Sequence, residues 1–494
     1  MSSRAVQRLR GSGWLPLAVL AALALALRLV GLGAKSLWVD EAYAAGLMQM
    51  DIPELVRMSV SGSPHPPLAF LVIRLSAALF GTGEAGLRAL SAIASALAVV
   101  PLASLVSRRL GKRAALCGGA AWALSPFAVS IGQEAWLYGI TAFLGFLLLD
   151  VCDRAWHGSR RAAWAVVPLA LSGMLVQHLF GLYVAAGFAL YLTVPREDRA
   201  PLSRALVTAG SLALLYAPFA PLLLEQAGMR AERMRRAGMD MAAVYSHRYL
   251  FRLPTVYTRL IPDGLLVDPG GHLLGDLKQL AFWAFFGLLN VYLLVCLLLE
   301  RGLRRPLKVW LVCVLAVPAL LFIREDPTVR HLTLLWVPLC FAIAAAFRRW
   351  RPSGVLAVAG AAVMLLPYYN VKTFPYHRAD WRGAVALVED GLEAGEGILV
   401  VGQLSGGLAW DYYSVTDHSR TALWGEAPYA PNRLERGRTA EAAMDSMRRH
   451  HSRIWIVVNS WGGPPVDSLF RDAAVLLDRR VSPAMRVVHL SFGR

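Results

Sequence analysis

The feature that most constrains this chain is a series of long apolar runs separated by short segments rich in arginine. Runs such as 14–30, 281–299 and 332–347 approach the roughly 20 residues that a helix needs to cross a bilayer core. The 494 residues are 56% hydrophobic and only 17% charged, which is more apolar surface than a soluble fold of this size can bury. The sequence therefore predicts an α-helical protein that crosses a membrane many times.

About 11 spans are predicted, and the charge of the loops between them alternates. The predicted spans are 14–34, 88–106, 114–131, 135–151, 162–178, 180–194, 205–224, 279–299, 307–323, 330–347 and 354–370. One set of loops is rich in arginine, whereas Arg324 and Arg330 are the only arginine or lysine residues in the short loops of the other set. The positive-inside rule assigns the basic set, and with it the N-terminus, to the cytoplasm. The odd number of spans then places the C-terminus outside.

Two of the predicted outer loops, 35–87 and 225–276, are long. The first contains an apolar stretch, Pro67–Phe80, that would spoil the charge alternation as a span and carries Arg74 at its middle. An arginine there is costly in lipid, so the stretch is predicted to be a helix on the outer surface. The second loop is basic, which suits either a solvated face or an anionic partner such as a lipid phosphate. The membrane body is predicted to occupy 1–371.

From residue 372 onward the pattern of hydrophobicity changes. Short apolar strands such as 397–401 and 454–458 alternate with polar helical stretches such as 381–389, which predicts a small α/β domain over 372–494. This region carries no phosphate loop, no metal-spaced cluster of His and Cys and no nucleophile elbow. We expect the domain to lie outside the cytoplasm and to leave the chemistry to the membrane body. The abundance of Arg, Ala, Gly and Leu indicates a bacterial source, so the membrane is expected to be a bacterial inner membrane.

Polar residues that could carry chemistry gather in the predicted outer loops. Asp40 and Glu41 directly follow the first span, where a carboxylate is either an ordinary interfacial charge or a general base. Adjacent residues on a helix point about 100° apart, so the two carboxylates are not expected to face one reaction centre together. The other candidates, each with a structural or interfacial alternative, are His65, Glu134, His178 and Arg330.

Most of the candidate residues lie in five short motifs. These are Leu37-Trp38-Val39-Asp40-Glu41-Ala42, His65-Pro66-Pro67-Leu68, Gly81…Glu84…Leu87-Arg88, Gln133-Glu134-Ala135-x-x-Tyr138 and Arg330-His331 ahead of Trp336-Val337-Pro338. Taken together, these motifs resemble those of the C-type (GT-C) membrane glycosyltransferases. The likeness is to the dolichyl-phosphate-mannose protein mannosyltransferases (glycosyltransferase family 39) and to bacterial relatives that use polyprenyl-phosphate sugars. In this sequence Trp136 and His331 stand where that family often has Arg and Tyr.

The resemblance implies a GT-C-like fold and an inverting transfer of a hexosyl or pentosyl group from a polyprenyl-phosphate carrier to an acceptor hydroxyl. It implies that Asp40 is the base, with Glu41 beside it. The acceptor is expected to be a glycan, a lipid or a protein, and no nucleic acid is expected as a partner. No compact set of ligands for a divalent metal is evident, and the need for such a metal stays open. The expected substrate-binding residues are His65, Arg88, Glu134, Tyr138, His178, Arg330 and His331.

Three other functions compete with this hypothesis. A transporter or flippase of lipid-linked sugars would favour polar residues at the middle of its spans, whereas here polarity is concentrated in the outer loops. A non-catalytic assembly protein would tolerate Asp40→Asn, and a transferase would not. A polymerase or ligase of surface polysaccharide would lack the acidic pair after the first span.

Overall fold

The computed structural model describes residues 14–48, 50–62, 65–222, 288–321, 333–369, 380–401, 406–415, 422–424, 440–459, 473–482 and 485–492. Most of these residues are helical, and the strands all lie near the C-terminus. The α-helices of the described residues are Trp14–Leu29, Val39–Leu47, Ile52–Gly62, Pro67–Phe80, Glu84–Leu97, Val99–Leu110, Lys112–Ala123, Pro126–Gly132, Tyr138–Trp156, Arg160–Val176, Gly181–Ala189, Leu202–Tyr216, Leu288–Leu299, Arg305–Leu321, Trp336–Arg349, Arg351–Tyr369, Trp381–Gly391, Gly406–Tyr413 and Ala440–His450. The 3-10 helices of the described residues are His178–Phe180, Leu190–Thr193, Ala217–Phe219 and 333–335.

The chain forms two compact units. The first unit comprises Met1–Val30, Pro64–Val72 and Arg88–Tyr369. The second comprises Gly31–Ser63, Ile73–Leu87 and Asn370–Arg494. Most of the first predicted outer loop thus packs in the same unit as the C-terminal residues. The domain boundary expected between residues 371 and 372 stays a prediction.

Helices occur at the position of every predicted span, but few of them are long and apolar enough to cross a membrane. Glu84–Leu110, with 27 residues, and Leu202–Leu222, with 21 residues, qualify among the described residues. The helices Lys112–Ala123 and Pro126–Gly132, bent by 59° at their junction, add a third if they form one broken span. The prediction of about 11 spans is therefore not confirmed in number. The helix Pro67–Phe80 has only 14 residues, and its Arg74 donates to the carbonyl of Met50 at 2.5 Å.

The bend after Ala123 has a clear cause in the sequence. Pro126 lacks an amide proton and disfavours a helical residue before it, so the preceding helix ends. Ser125 is extended (φ −69°, ψ 127°), and its hydroxyl accepts from the amide of Ala128, which caps the next helix with proline in its first turn. The chain then leaves helical geometry again over 133–137, before Tyr138.

Aromatic side chains fill the interior of the first unit. The buried Trp122 ring packs edge-on against Phe146 at 5.0 Å and against Trp336 at 5.5 Å between ring centroids. Backbones approach closely where glycine allows it: a Cβ on Gly118 would lie 2.7 Å from the carbonyl oxygen of Cys340. The helices Lys112–Ala123 and Trp336–Arg349 therefore pack in close contact.

A network of ion pairs ties two helices of the first unit together. Asp150 and Asp153 are buried on the helix Tyr138–Trp156. Arg108 lies 2.7 Å from a carboxylate oxygen of each, and Arg109 and Arg154 add further ion pairs. These arginines belong to the basic loops predicted to be cytoplasmic. Buried carboxylates thus neutralise part of that positive charge, and removing one partner would leave an uncompensated buried charge.

The second unit contains a five-stranded sheet. Its strands are β1 (Gly397–Val401), β2 (Ala422–Trp424), β3 (Arg453–Asn459), β4 (Ala474–Ser482) and β5 (Met485–Ser491), in the order β2-β1-β3-β5-β4. Strand β1 is parallel to β2 and β3, whereas β5 is antiparallel to β3 and β4. The core lies between this sheet and the helix Ala440–His450, with Leu399, Met447 and Ile456 fully buried. Strands at 397–401 and 453–459 match the alternation expected from the sequence.

Glu396, just before β1, lies in a polar cluster on this sheet. Its carboxylate accepts from the indole nitrogen of Trp455 at 2.7 Å and contacts His489 Nε2 at 3.0 Å. Trp455 and His489 are paired positions on β3 and β5, and their rings stack with centroids 4.0 Å apart. Burial alone would raise the pKa of Glu396, but hydrogen bonds from the Glu393 amide, Trp455 and His489 outweigh it and lower the pKa.

Candidate functional site

The acidic pair opens a helix of the second unit. Asp40 and Glu41 occupy the first turn of the helix Val39–Leu47, which begins after the extended residue Trp38. The partial positive charge at a helix N-terminus stabilises carboxylates in this position. Asp40 is partly exposed, whereas Glu41 is fully buried, as their different directions on a helix predict.

The two carboxylates therefore differ in what they can do. A Glu41 carboxylate oxygen accepts from the backbone amide of Trp38 at 3.2 Å, the contact by which a residue at this position caps a helix. Glu41 thus has a role in fixing the start of the helix. Of the two carboxylates, that of Asp40 is the one accessible to solvent.

Residues of the C-terminal part of the chain hold the segment in front of this helix. The Tyr413 hydroxyl accepts from the amide of Leu37 at 2.6 Å and donates to a Glu84 carboxylate oxygen at 3.0 Å. Arg382 forms an ion pair with the same Glu84 oxygen. Sequence reasoning placed Glu84 in a family motif without assigning it a contact, and it missed Arg382 and Tyr413 altogether.

In the first unit, a polar face runs along the helix Glu84–Leu97. Arg88, Ser91 and Ser95 follow one another at helical spacing, and all are at most 3% exposed. The Ser91 hydroxyl donates to the carbonyl of Ile131 at 3.1 Å, and the Ser95 hydroxyl donates to that of Ala128 at 2.8 Å. Arg88 thus stands one turn before a serine that binds the bent segment leading to Glu134.

Arg28 is a buried cation that sequence reasoning did not single out. It lies on the helix Trp14–Leu29, is 0% exposed, and donates from Nε to Ser95 Oγ at 2.8 Å. Its Nη1 donates to the carbonyls of Ala24 at 2.9 Å and Ala123 at 3.2 Å. The guanidinium therefore braces the point at which the broken helix bends. The sequence did contain a signal for this residue, because Arg28 is a single arginine inside an otherwise apolar run.

The segment 133–137 carries several of the predicted residues. Glu134 is 2% exposed, and Tyr138 begins the next helix, 4% exposed. The Gln133 side-chain amide donates to the carbonyls of Arg28 at 3.1 Å and Val30 at 2.7 Å, which ties this segment to the end of the first helix. A Cβ on Gly139 would lie 2.7 Å from the Ser91 carbonyl oxygen. The structure thus brings the Glu134–Tyr138 segment against the Arg88 helix.

His65 joins the same region through Trp136. Their rings meet edge-on with centroids 5.3 Å apart, and the Phe70 ring also packs against the indole, with centroids 5.9 Å apart. Trp136, which stands where the family often has arginine, is 4% exposed. In this chain the position is therefore used to pack the His-Pro-Pro motif. His65 itself remains partly exposed.

Of the remaining predicted residues, His178 lies within the described part of the chain. His178 begins a short 3-10 helix, and the neighbouring Tyr183 donates to Thr333 Oγ1 at 2.9 Å. Arg330 and His331 lie outside the described residues. Among the residues that the structure does describe, no group of three or more His, Cys, Asp or Glu could hold a metal ion.

Comparison with known families and structures identifies what the chain is similar to. Residues 64–224 match the family model described as dolichyl-phosphate-mannose-protein mannosyltransferase. That range contains the motifs around His65, Arg88, Glu134 and Tyr138. The resemblance to the C-type membrane glycosyltransferases is therefore confirmed over this part of the chain. No curated protein matches the sequence significantly.

Two solved structures share the fold over most of the chain. The crystal structure of ArnT from Cupriavidus metallidurans bound to undecaprenyl phosphate has a TM-score of 0.54 at 14% identity, covering 97% of this chain and 98% of that chain. The oligosaccharyltransferase of Archaeoglobus fulgidus in complex with zinc and sulfate has a TM-score of 0.51 at 15% identity, covering 89% of this chain and 67% of that chain. At these identities the likeness concerns the fold alone.

Proposed function

Because residues 64–224 match the mannosyltransferase family, we propose that this chain is a membrane glycosyltransferase that moves a sugar from a polyprenyl-phosphate carrier to an acceptor hydroxyl. The similarity of its fold to a structure bound to undecaprenyl phosphate supports a lipid-linked donor. The observation that carries the proposal is this family match, because it covers a buried arginine and a buried glutamate whose segments pack together.

In the proposed reaction, Asp40 takes the proton from the acceptor hydroxyl. The hydroxyl oxygen attacks the anomeric carbon of the donor sugar, and the bond from that carbon to the phosphate oxygen breaks. The electron pair of that bond leaves with the polyprenyl phosphate. A single displacement of this kind inverts the configuration at the anomeric carbon. Asp40 suits the role of base because it is the partly exposed member of the acidic pair.

Arg88 is proposed to bind the carrier phosphate. A guanidinium presents a planar set of donors that match phosphate oxygens, and a buried one acts with little screening on the charge that develops as the phosphate leaves. Glu134, Tyr138 and His65 are proposed to line the substrate site. His178, Arg330 and His331 complete the proposed set of substrate contacts.

The proposal includes the setting in which the enzyme works. The chain is expected to reside in the inner membrane of a bacterium, with a cytoplasmic N-terminus and with residues 372–494 outside. Its acceptor is a glycan, a lipid or a protein. A flippase of lipid-linked sugars is the competing proposal, and it requires no catalytic base.

A transfer assay separates these functions. The protein is purified in lipid nanodiscs and supplied with a set of polyprenyl-phosphate sugars and a membrane extract as the source of acceptor. Asp40→Asn is expected to lower the rate of transfer by roughly 100-fold or more, the effect typical of a lost general base. Its matched control is Asp51→Asn, because the Asp51 carboxylate caps the next helix through the Glu54 amide and asparagine caps equally well. Transfer at the wild-type rate by Asp40→Asn would overturn the assignment of the base.

A further inference from the structure

We propose that Tyr413 and Arg382 are positioning residues that hold the helix of the acidic pair in place through Glu84. With Gly33 and Leu37 they form a cluster, here called the clasp, in which side chains from the C-terminal part of the chain join both ends of the first outer loop. The inference rests on the proposed function of Asp40, and it gives the C-terminal residues a part in that function.

Tyr413 is the centre of the clasp. Its hydroxyl acts as both acceptor and donor: it accepts from the Leu37 amide at 2.6 Å and donates to Glu84 Oε1 at 3.0 Å. One partner precedes the outer loop's first helix, and the other follows the loop's last helix. A single phenol therefore couples two segments that are 47 positions apart in the numbering of Leu37 and Glu84.

Arg382 makes a second connection between the same two segments. Its guanidinium donates from Nε to Glu84 Oε1 at 3.1 Å and from Nη2 to the carbonyl of Gly33 at 3.1 Å. The Glu84 side chain is 18% exposed and that of Arg382 is 45% exposed, so this ion pair is partly shielded from solvent. Gly33 and Ala85 also approach closely, since a Cβ on Gly33 would lie 3.3 Å from that of Ala85. The two ends of the loop are thus held by hydrogen bonds and by packing.

The clasp is connected to the acidic pair through the residues that begin the helix Val39–Leu47. Leu37, which Tyr413 holds, directly precedes Trp38, the capping residue of the helix Val39–Leu47. The Trp38 amide donates to the Glu41 carboxylate, and Asp40 lies in that same first turn. Fixing the Leu37 amide therefore fixes the direction in which the helix begins and with it the position of Asp40. The helix Gly406–Tyr413 packs against Val39–Leu47, which supports the same arrangement.

The protonation states of the clasp are stable near neutral pH. Burial raises the pKa of Tyr413, and the neighbouring Glu84 carboxylate raises it further, so the phenol keeps the proton that it donates. Burial alone would lower the pKa of Arg382, but the hydrogen bond and charge of Glu84 outweigh it and raise the pKa. Tyr413 and Arg382 are therefore expected to keep their protons near neutral pH, so that the hydrogen bonds of the clasp do not change with pH there.

The test compares Tyr413→Phe with Tyr191→Phe in the full-length protein. Both variants remove one hydroxyl and keep the ring. Tyr191 is the control because its hydroxyl donates to the Ala200 carbonyl at 2.9 Å in the first unit. Tyr413→Phe is expected to lower kcat roughly 10-fold, the loss that a hydrogen bond to a charged group represents, with KM for the lipid donor unchanged. Tyr191→Phe is expected to leave kcat unchanged. An unchanged kcat in Tyr413→Phe would overturn the proposal.

A second readout, amide hydrogen exchange, needs no activity. In Tyr413→Phe the amides of 33–47 are expected to exchange faster, whereas those of β1 and β3 keep their wild-type protection because the sheet is intact. Faster exchange in both regions would show general destabilisation and would also overturn the proposal. If the wild-type protein transfers no sugar, the proposed function fails, and the exchange pattern still reports on the clasp itself.

The ion pair gives an independent check. Arg382→Gln and Glu84→Gln are each expected to lower kcat, and the double variant is expected to lose little more than the worse single one, because both remove the same interaction. Arg486→Gln is the matched control, since Arg486 pairs with Asp478 at 2.6 Å elsewhere in the second unit. Fully additive losses, or an equal loss in Arg486→Gln, would refute a shared role for Arg382 and Glu84.

Discussion

Replacing the buried Arg28 by methionine tests how the bend in the first unit is held. Methionine has a similar length and no polar atoms, so the change removes the hydrogen bonds with little loss of packing. Arg28 donates to Ser95 Oγ, to the Ala24 carbonyl and to the Ala123 carbonyl at 2.8–3.2 Å. Ala123 is the last residue of its helix, and without Arg28 its buried carbonyl would lose this hydrogen-bond donor.

The magnitude follows from those contacts. A hydrogen bond that involves a charged group contributes about 1.5–3 kcal/mol, and a buried acceptor left without a donor costs about 1–3 kcal/mol. Relief of the cost of burying the guanidinium offsets part of this loss. We therefore expect Arg28→Met to lower the free energy of unfolding by about 3 kcal/mol. Arg28→Lys is expected to recover only part of the loss, because one ammonium group cannot reproduce the fork of the guanidinium.

The free energy of unfolding is measured in lipid nanodiscs by steric trapping of the unfolded state. The control is Arg160→Met, because Arg160 is exposed at the start of its helix and a surface change of this kind is usually within about 0.5 kcal/mol. An Arg28→Met variant no less stable than Arg160→Met would refute the claim that Arg28 braces the broken helix.

Two further predictions concern charged groups outside the proposed reaction. Asp153→Ala should lower the free energy of unfolding by about 3 kcal/mol, because it leaves Arg108 and Arg109 without their shared buried carboxylate. The double variant Asp153→Ala, Arg109→Ala should lose less free energy of unfolding than the sum of the two single variants. Glu396→Gln should lower the midpoint temperature of unfolding more at about pH 7 than at about pH 3. Because hydrogen bonds from the Glu393 amide, Trp455 and His489 lower the pKa of Glu396, the ionised carboxylate stabilises the fold above the ordinary carboxyl pKa of about 4.5. This contribution is lost as the pH falls through the lowered pKa. Equal shifts at both pH values would contradict this.

Much of the fold follows from patterns within short stretches of sequence. Apolar runs predicted where helices occur, and the change in pattern near residue 372 predicted strands at 397–401 and 454–458. The strand β4 was missed because its side chains are mostly exposed and show no apolar alternation. The strand β2 was missed because it has only three residues, too few to show a period.

The contacts that define the candidate site could not be predicted in this way. Arg28 and Ala123 are 95 positions apart, and Arg382 and Glu84 are 298 apart. No local pattern encodes which partner a buried arginine will find at such separations. The family motifs did mark Glu84, Arg88, Glu134 and Tyr138 as residues of interest. The contacts of these residues depend on the tertiary fold, which brings distant parts of the sequence together.

The central claim is that this chain turns over a polyprenyl-phosphate sugar with Asp40 as base, and lipid bound to the purified protein tests it directly. Wild type and Asp40→Asn are extracted in native lipid, and the prenyl lipids that copurify are identified by mass spectrometry. Wild type is expected to carry mainly the spent polyprenyl phosphate, whereas Asp40→Asn retains the donor with its sugar still attached. Equal proportions of donor and spent carrier in the two proteins, or no prenyl phosphate in either, would contradict the account.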